Sequence, residues 1–269
     1  MGRTVAVANQ KGGVAKTTTV ASLGAAFAEQ GLRVLLVDLD AQACLTFSLG
    51  VDPDELEMSI NEVLLGKIDA ASALISVADG VDLLPSAIDV AGLEANLLSR
   101  PGREFVLRTA IEPLVDTYDV VLLDCSPSLG VLTLAALTAA DEVVIPLQCE
   151  MLSHRGVGQL LDTIADVQRL LNKNLLVRGI LPTMFDGRTT HARAVLADVA
   201  ERYELPVLEP PIPRSVRFAE APAVGRSILV TAAGSRGAAA YREVALSLLR
   251  SWKIGPGRRP TGRRAKPTR

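Results

Sequence analysis

Two lysines in a short segment with adjacent glycines are the first residues of this sequence that could do chemistry. The segment spans residues 10–18 and consists of Gln10, Lys11, Gly12, Gly13, Val14, Ala15, Lys16, Thr17 and Thr18. An apolar run precedes it and a helical pattern follows, so its backbone N–H groups and the helix N-terminus can face a phosphate chain. Lys16 would neutralise the β- and γ-phosphates, and the Thr17 hydroxyl would reach Mg²⁺. The segment therefore predicts a nucleotide site with Mg²⁺.

Two carboxylates follow later apolar runs and suit the same chemistry. Asp40 comes just after the run at residues 34–38, where it could orient the water that attacks the γ-phosphate. Capping a helix or supporting Mg²⁺ is the alternative role for Asp40. Asp124 ends the run at residues 120–124 and would hold Mg²⁺ through water. Because ligands sit beyond the carboxyl ends of parallel strands, we expect these loops to converge on one site.

The elements that must position these residues alternate along the chain. The pattern predicts strands at residues 4–8, 34–38, 81–84, 120–124, 143–146, 177–181 and 206–208. It predicts helices at residues 16–30, 60–65, 90–98, 104–117, 131–139, 156–172, 190–203 and 235–251. Alternating strands and helices indicate an α/β fold, a doubly wound and mostly parallel sheet with helices on both faces. We expect a single domain over residues 1–251.

Composition changes sharply near the C-terminus. Residues 252–269 carry seven lysines and arginines, no acidic residue and three prolines, so we expect a basic, disordered tail. Three cysteines show no close pairing, and we expect buried, reduced thiols. No apolar run is long enough to span a membrane and no signal peptide is visible, which predicts a cytoplasmic protein without membrane insertion.

The loop K-G-G-V-A-K-T-T resembles the deviant Walker A motif of the ParA/MinD family of P-loop ATPases, whose signature lysine corresponds to Lys11. Gln10 and Ala15 replace the two glycines of the usual phosphate loop. We expect Ala15 to be helical, so that its methyl group costs little. Residues 38–42 resemble the switch I motif D-x-D-P-Q with Ala41 in place of proline, and residues 125–130 resemble switch II with Ser126 in place of its first proline.

This resemblance implies a slow, partner-stimulated ATPase with ATP and Mg²⁺ as cofactors. Asp40 corresponds to the catalytic aspartate of the family. Lys11 would cross a dimer interface to the partner's nucleotide, so that ATP holds a homodimer together; a solvated surface charge is the alternative. Thr183, Met184 and Pro213 match the positions of the adenine contacts of the family.

Residues 181–189 and residues 212–222 are most similar to the chromosomal ParA/Soj branch of the family. In that branch, arginines matching Arg188 and Arg217 bind DNA without sequence preference once the ATP dimer has formed. The alternative is that both are surface residues paired with Asp186 and Glu220. The branch implies association with the nucleoid and a stimulatory ParB-like partner in chromosome or plasmid segregation.

Other functions in the same superfamily remain as alternatives. A MinD-like or other cargo-positioning ATPase is the main one, although prolines prevent an amphipathic membrane helix in the tail. A metabolic ligase that activates a carboxylate with ATP is less favoured, because no residue pattern identifies its substrate. The cysteine spacing does not suit an iron–sulfur cluster of the kind found in nitrogenase iron protein.

Overall fold

A central sheet positions every candidate site residue. The computed structural model describes residues 2–88, 90–150 and 153–255. Strands in these residues are Arg3–Val7 (β1), Val34–Leu39 (β2), Ile75–Ala78 (β3), Val81–Leu84 (β4), Val120–Cys125 (β5), Glu142–Gln148 (β6) and Leu176–Thr183 (β7). Helices are Lys16–Glu29 (α1), Cys44–Ser48 (α2), Ile60–Leu64 (α3), Val90–Leu98 (α4), Val106–Val115 (α5), Val131–Ala139 (α6), Ser153–Leu170 (α7), Thr190–Arg202 (α8), Arg217–Glu220 (α9), Ile228–Thr231 (α10) and Arg236–Trp252 (α11).

The strand order places the first strand in the interior of the sheet, beside the central strand β5. The order is β3-β4-β2-β5-β1-β6-β7, and all neighbours are parallel except β3, which is antiparallel to β4. β1 lies between β5 and β6, so the chain passes to opposite sides of β1 in its two halves. Ligands of open α/β sheets bind at such a switch point, beyond the carboxyl ends of the strands.

Both faces of the sheet are covered, because its strands are apolar on both sides. Val5 and Val7 belong to one core with α1 and α11, whereas Ala6 and Ala8 belong to the opposite core with α3 to α8. Burial on both faces explains why the parallel strands read as continuous apolar runs. The predicted fold class, a single α/β domain with helices on both faces, is confirmed.

Two short strands and three short helices differ from the predictions: the helices α2, α9 and α10 were not predicted. β3 was not predicted, because it is an edge strand of only four residues whose side chains are half-buried or exposed. The strand predicted at residues 206–208 is wrong: Val207 forms an isolated bridge to Ile180. Pro206 has no N–H to donate, and two further prolines at residues 210 and 211 interrupt the pairing, which resumes where the Ile212 amide donates to the Pro182 carbonyl at 2.8 Å.

The last helix packs its final residue against α1 and β6. Trp252, which the sequence placed in the tail, is the final residue of α11 and is buried against Phe27, with ring centroids 5.5 Å apart. Its indole Nε1 donates to Glu142 Oε2 at 2.9 Å, and Arg178 pairs with the same carboxylate. Residues 256–269 of the predicted tail lie outside the described residues. Over the described ranges, no helix combines the length and apolar character that crossing a membrane requires.

Candidate nucleotide site

The phosphate loop after β1 is tied to the ends of two neighbouring strands. Asn9 Nδ2 donates to the Pro146 carbonyl of β6 at 2.7 Å, and Asn9 Oδ1 accepts from the Lys11 amide at 3.0 Å. The Thr183 hydroxyl at the end of β7 donates to the Val14 carbonyl at 3.0 Å. Asn9 was not among the predicted site residues; its only signal in the sequence was its place as a polar residue directly after an apolar run.

Ala15 has a left-handed backbone, and the expectation that it is helical is wrong. It is the N-cap of α1 with φ 66° and ψ 35°, and its carbonyl accepts the first helical hydrogen bond from Thr19 at 2.9 Å. The loop therefore enters α1 through the conformation that glycine adopts readily. Alanine in this conformation costs about 1–2 kcal/mol.

Lys16 is an almost fully buried cation at the start of α1. Its side chain lines the cleft between the loop and the neighbouring strands, and its Nζ donates to the Lys11 carbonyl at 3.2 Å. Burial lowers the pKa of Lys16, and the negative charges of Asp124 and Asp40 partly oppose that shift. A buried ammonium of this kind favours binding of an anion.

Asp38 and Asp124 face each other across β2 and β5. They are register partners, and both are fully buried. Burial raises the pKa of Asp38 to about 6, although the hydrogen bonds that its carboxylate accepts from Thr46 and Asp40 lower the pKa in part. Asp38 was not predicted to have a role of its own, because its neighbour across the sheet depends on the strand order.

Asp124 offers buried carboxylate oxygens that could bind a divalent cation. Within the described residues neither carboxylate oxygen makes a hydrogen bond of standard geometry. Burial first and the Asp38 charge second raise its pKa well above the usual range, and the nearby Thr17 hydroxyl offsets part of that rise. A buried carboxylate without standard partners beside a threonine hydroxyl fits Mg²⁺, which binds hard oxygen ligands and neutralises their charge.

Asp40 lies at the edge of the cleft, just after β2. Its Oδ1 accepts from the Gln42 amide at 3.0 Å, and its own amide donates to Asp38 Oδ1 at 3.1 Å. The carboxylate is half-buried and lines the cleft. It therefore lies where solvent and a bound phosphate chain would meet.

Several of the predicted residues line a cleft of ≈ 620 Å³, a volume typical of small-molecule sites. Predicted residues that line it are Gly12, Gly13, Ala15, Lys16, Thr17, Thr18, Asp40, Thr183 and Met184. Its apolar wall contains Ile212, Val216, Phe218, Ala219 and Tyr241.

Several predicted residues contribute less directly to the cleft. Its described lining does not include Gln10, Lys11, Asp124 or Pro213, although Ile212 and Arg214 on either side of Pro213 line it. Val14 is buried beneath the loop. Cys44 is exposed and lines the cleft, so the expectation of a buried thiol is wrong for this cysteine.

Lys11 pairs with a carboxylate of its own chain. Its Nζ lies 2.6 Å from Glu150 Oε2, and the two side chains are 33% and 53% exposed. An ion pair this exposed contributes about 0.2–1 kcal/mol. Lys11 is therefore held loosely, and moving it to another anion costs little.

Arg188 and Arg217 are exposed and each makes a local ion pair. Arg188 Nε lies 3.1 Å from Asp186 Oδ1, and Arg217 Nη1 lies 2.8 Å from Glu220 Oε2. The alternative to DNA binding was that both arginines are surface residues paired with Asp186 and Glu220, and both of these pairs are present. Such pairs are weak in solvent, so they do not compete strongly with a polyanion.

Known proteins are similar to this chain over most of its length. The AAA domain family matches residues 2–177. The sporulation initiation inhibitor protein Soj of Bacillus subtilis is 42% identical over 246 residues, which cover 91% of this chain and 97% of Soj. The chromosome partitioning protein ParA of Myxococcus xanthus is 40% identical over 251 residues, covering 93% of this chain and 89% of ParA.

A solved structure is also similar over nearly the whole chain. It is cobyrinic acid a,c-diamide synthase from Mycobacterium smegmatis with bound ATP analogue and magnesium. Its sequence is 59% identical, its TM-score is 0.85, and the match covers 94% of this chain and 96% of that one.

Proposed function

Because the chain belongs to the Soj and ParA family of partitioning ATPases, we propose that it is an ATP-dependent switch that binds DNA in its ATP state. Mg²⁺ and ATP are its cofactors, and hydrolysis of ATP to ADP and phosphate resets the switch. Two observations on buried charges carry this proposal: Lys16 is buried and lines the cleft, and Asp124 is buried at the end of β5, where its carboxylate oxygens lack standard partners among the described residues. Neither charge is neutralised well by the protein alone, and Mg-ATP supplies both opposite charges.

Different residues of the chain would bind the phosphates, hold Mg²⁺ and orient the attacking water. Lys16 and the backbone N–H groups of the loop bind the phosphates. Thr17, Asp124 and Asp40 would hold Mg²⁺, which neutralises charge on the phosphate oxygens when bound. The Asp40 carboxylate orients the attacking water and accepts its proton or hydrogen bond.

Lys11 would make ATP binding a dimer switch. In the proposed ATP homodimer, Lys11 leaves Glu150 and contacts the partner's nucleotide. The ion pair it gives up is worth about 0.2–1 kcal/mol, whereas hydrogen bonds to charged groups contribute about 1.5–3 kcal/mol. The exchange therefore favours the dimer once a nucleotide is bound.

Arg188 and Arg217 would bind DNA phosphates without reading sequence. A few arginines per subunit bind weakly, and a dimer doubles their number, so DNA binding becomes nucleotide-dependent and strongly salt-dependent. A ParB-like protein would stimulate hydrolysis and release the dimer from the nucleoid.

DNA binding with and without ATP tests this proposal. The full chain and a chain ending at Gly255, which keeps the buried Trp252, should both retard DNA only with ATP and Mg²⁺ in a gel shift. Reversing Arg188 and Arg217 to Glu should remove the shift without changing dimerisation. Arg169→Glu is the matched control, because Arg169 is also exposed and paired within its helix, with Asp166.

The other outcomes each identify a different function. Binding that needs no ATP and is lost in the shorter chain would contradict the proposal and assign DNA binding to the tail. Binding to anionic vesicles in place of DNA would favour a MinD-like function.

A second candidate is an ATP-dependent amide-forming synthase, favoured by the 59% identity to the Mycobacterium smegmatis protein. The distinguishing measurement is product analysis after incubation with ATP, Mg²⁺, a nitrogen donor and cobyrinic acid. Formation of the a,c-diamide would establish the synthase. Stimulation of ATP hydrolysis by DNA without any amide product would favour the partitioning switch.

A further inference from the structure

A closed ring of hydrogen bonds begins and ends on the backbone of Asp40. The Asp40 amide donates to Asp38 Oδ1 at 3.1 Å, and the Thr46 hydroxyl donates to Asp38 Oδ2 at 2.7 Å. The Ser86 amide donates to the Thr46 hydroxyl at 2.9 Å, and the Ser86 hydroxyl donates to the Asp40 carbonyl at 2.9 Å. Both peptide groups of Asp40 are therefore fixed by one network.

The ring is shielded from water and joins distant parts of the chain. Asp38, Thr46 and Ser86 are each 0% exposed. Ser86 follows β4 and reaches across 46 residues of sequence to Asp40. Hydrogen bonds inside a low-dielectric site polarise one another, and a fully satisfied buried network fixes a single geometry.

Residues 41–43, which follow Asp40, form a turn outside the ring. Ala43 is left-handed, and the chain from Asp40 to Ala43 otherwise forms a turn closed by the Ala43 amide on the Asp40 carbonyl at 2.9 Å. The Ser86 hydroxyl shares that carbonyl. Ser86 is thus the link that ties this turn to the neighbouring strand.

We propose that Ser86 is a positioning residue for hydrolysis, acting through Asp40. The inference rests on the proposed function, which assigns Asp40 to the attacking water. Because the Asp40 side chain starts from a backbone held at both peptide groups, its carboxylate returns to the same place at each turnover. A displacement of 1 Å in a catalytic group lowers a rate by up to about 100-fold.

The main test compares Ser86→Ala with wild type in steady-state ATP hydrolysis. We expect kcat to fall about 10-fold while the KM for ATP changes less than about 2-fold, since Ser86 is not among the described residues that line the cleft. Ser86→Thr keeps the hydroxyl and should restore most of kcat. Thr138→Val is the control, because Thr138 is also buried and its hydroxyl bonds one carbonyl, that of Leu134.

Amide hydrogen exchange of the nucleotide-free protein tests the ring without relying on activity. In Ser86→Ala the amides of residues 40–43 should exchange faster, whereas Thr138→Val should leave them unchanged. Thr46→Val opens the same ring at another point and serves if Ser86→Ala does not fold. Combining the two substitutions should lower kcat no further than either alone, because both break one network.

The outcomes separate this inference from the function it rests on. A wild-type protein without ATPase activity overturns the proposed function. A normal kcat in Ser86→Ala, or a loss equal to that of Thr138→Val, overturns the role of Ser86 while leaving the proposed function intact. Slower turnover with unchanged exchange at residues 40–43 also overturns it, because the effect would not pass through the ring.

Discussion

Replacing Ala15 by glycine should stabilise the protein, which is unusual for a substitution at the start of a helix. Ala15 is the left-handed N-cap of α1, at φ 66° and ψ 35°. Glycine adopts this conformation without the steric conflict between Cβ and backbone that alanine suffers. Ala15→Gly therefore removes strain from the folded state.

The net change in the free energy of unfolding is the sum of one stabilising contribution and two smaller ones that offset it. Relief of strain contributes about 1–2 kcal/mol to the free energy of unfolding. The greater freedom of glycine in the unfolded chain offsets about 0.4–1 kcal/mol of that. Loss of a half-buried methyl group offsets about 0.4 kcal/mol more. The expected result is stabilisation by about 0.5 kcal/mol.

The comparison that isolates this effect uses alanines in different conformations. Ala239 is exposed in the interior of α11, so Ala239→Gly should destabilise by about 1 kcal/mol. The two variants should therefore differ by about 1.5 kcal/mol, or about 3–6 °C in Tm. Urea unfolding of the nucleotide-free protein, with equal m-values, gives the free energies directly.

A second left-handed alanine provides an internal check. Ala43 has φ 47° and is the N-cap of α2, so Ala43→Gly should also resemble Ala15→Gly rather than Ala239→Gly. The reasoning is refuted if Ala15→Gly destabilises as much as Ala239→Gly. That result would mean that Ala15 is not left-handed in solution.

Three further substitutions test the site. Lys16→Ala should weaken ATP binding about 100-fold in calorimetry, because it removes the buried cation; unchanged affinity would place the phosphates elsewhere. Asp40→Ala should lower kcat by about 10²–10⁴ and leave an ATP-bound dimer on gel filtration, whereas a monomer with a normal rate would contradict its role. Asp124→Asn should raise the free energy of unfolding of the nucleotide-free protein at pH 7.5 by about 1–3 kcal/mol, because it removes a buried charge opposite Asp38. Urea unfolding measures this, and a loss of stability would show that the carboxylate is well compensated.

Much of the fold could be predicted because its signals are local. β2, β4 and β5 begin at the predicted residues, and α4 and α6 have the predicted bounds, since each is a continuous apolar run or an amphipathic segment. The resemblance to the ParA/Soj family is likewise confirmed by 42% identity to Soj. Because parallel strands end at one edge, the convergence of the phosphate loop, Asp40 and Asp124 followed from the same patterns.

The remaining features depend on contacts between distant residues. The pairing of Asp38 with Asp124 requires the strand order, in which β2 lies beside β5. The ring through Ser86 joins residues 46 positions apart. The left-handed backbone of Ala15 is set by the path of the loop between β1 and α1, so residue type alone predicted the wrong conformation.

The nucleotide-free site combines several features that oppose folding. Lys16 and Asp124 are buried charges, and Ala15 is strained. Hydrogen bonds and apolar residues would stabilise this region better, so these residues are explained by binding rather than by stability. A ligand that binds only the folded state adds RT ln(1 + [L]/Kd) to the free energy of unfolding, which is about 2.7 kcal/mol at 100 times Kd. Mg-ATP would therefore stabilise the folded protein by supplying opposite charges to Lys16 and Asp124, which the unbound protein leaves poorly compensated.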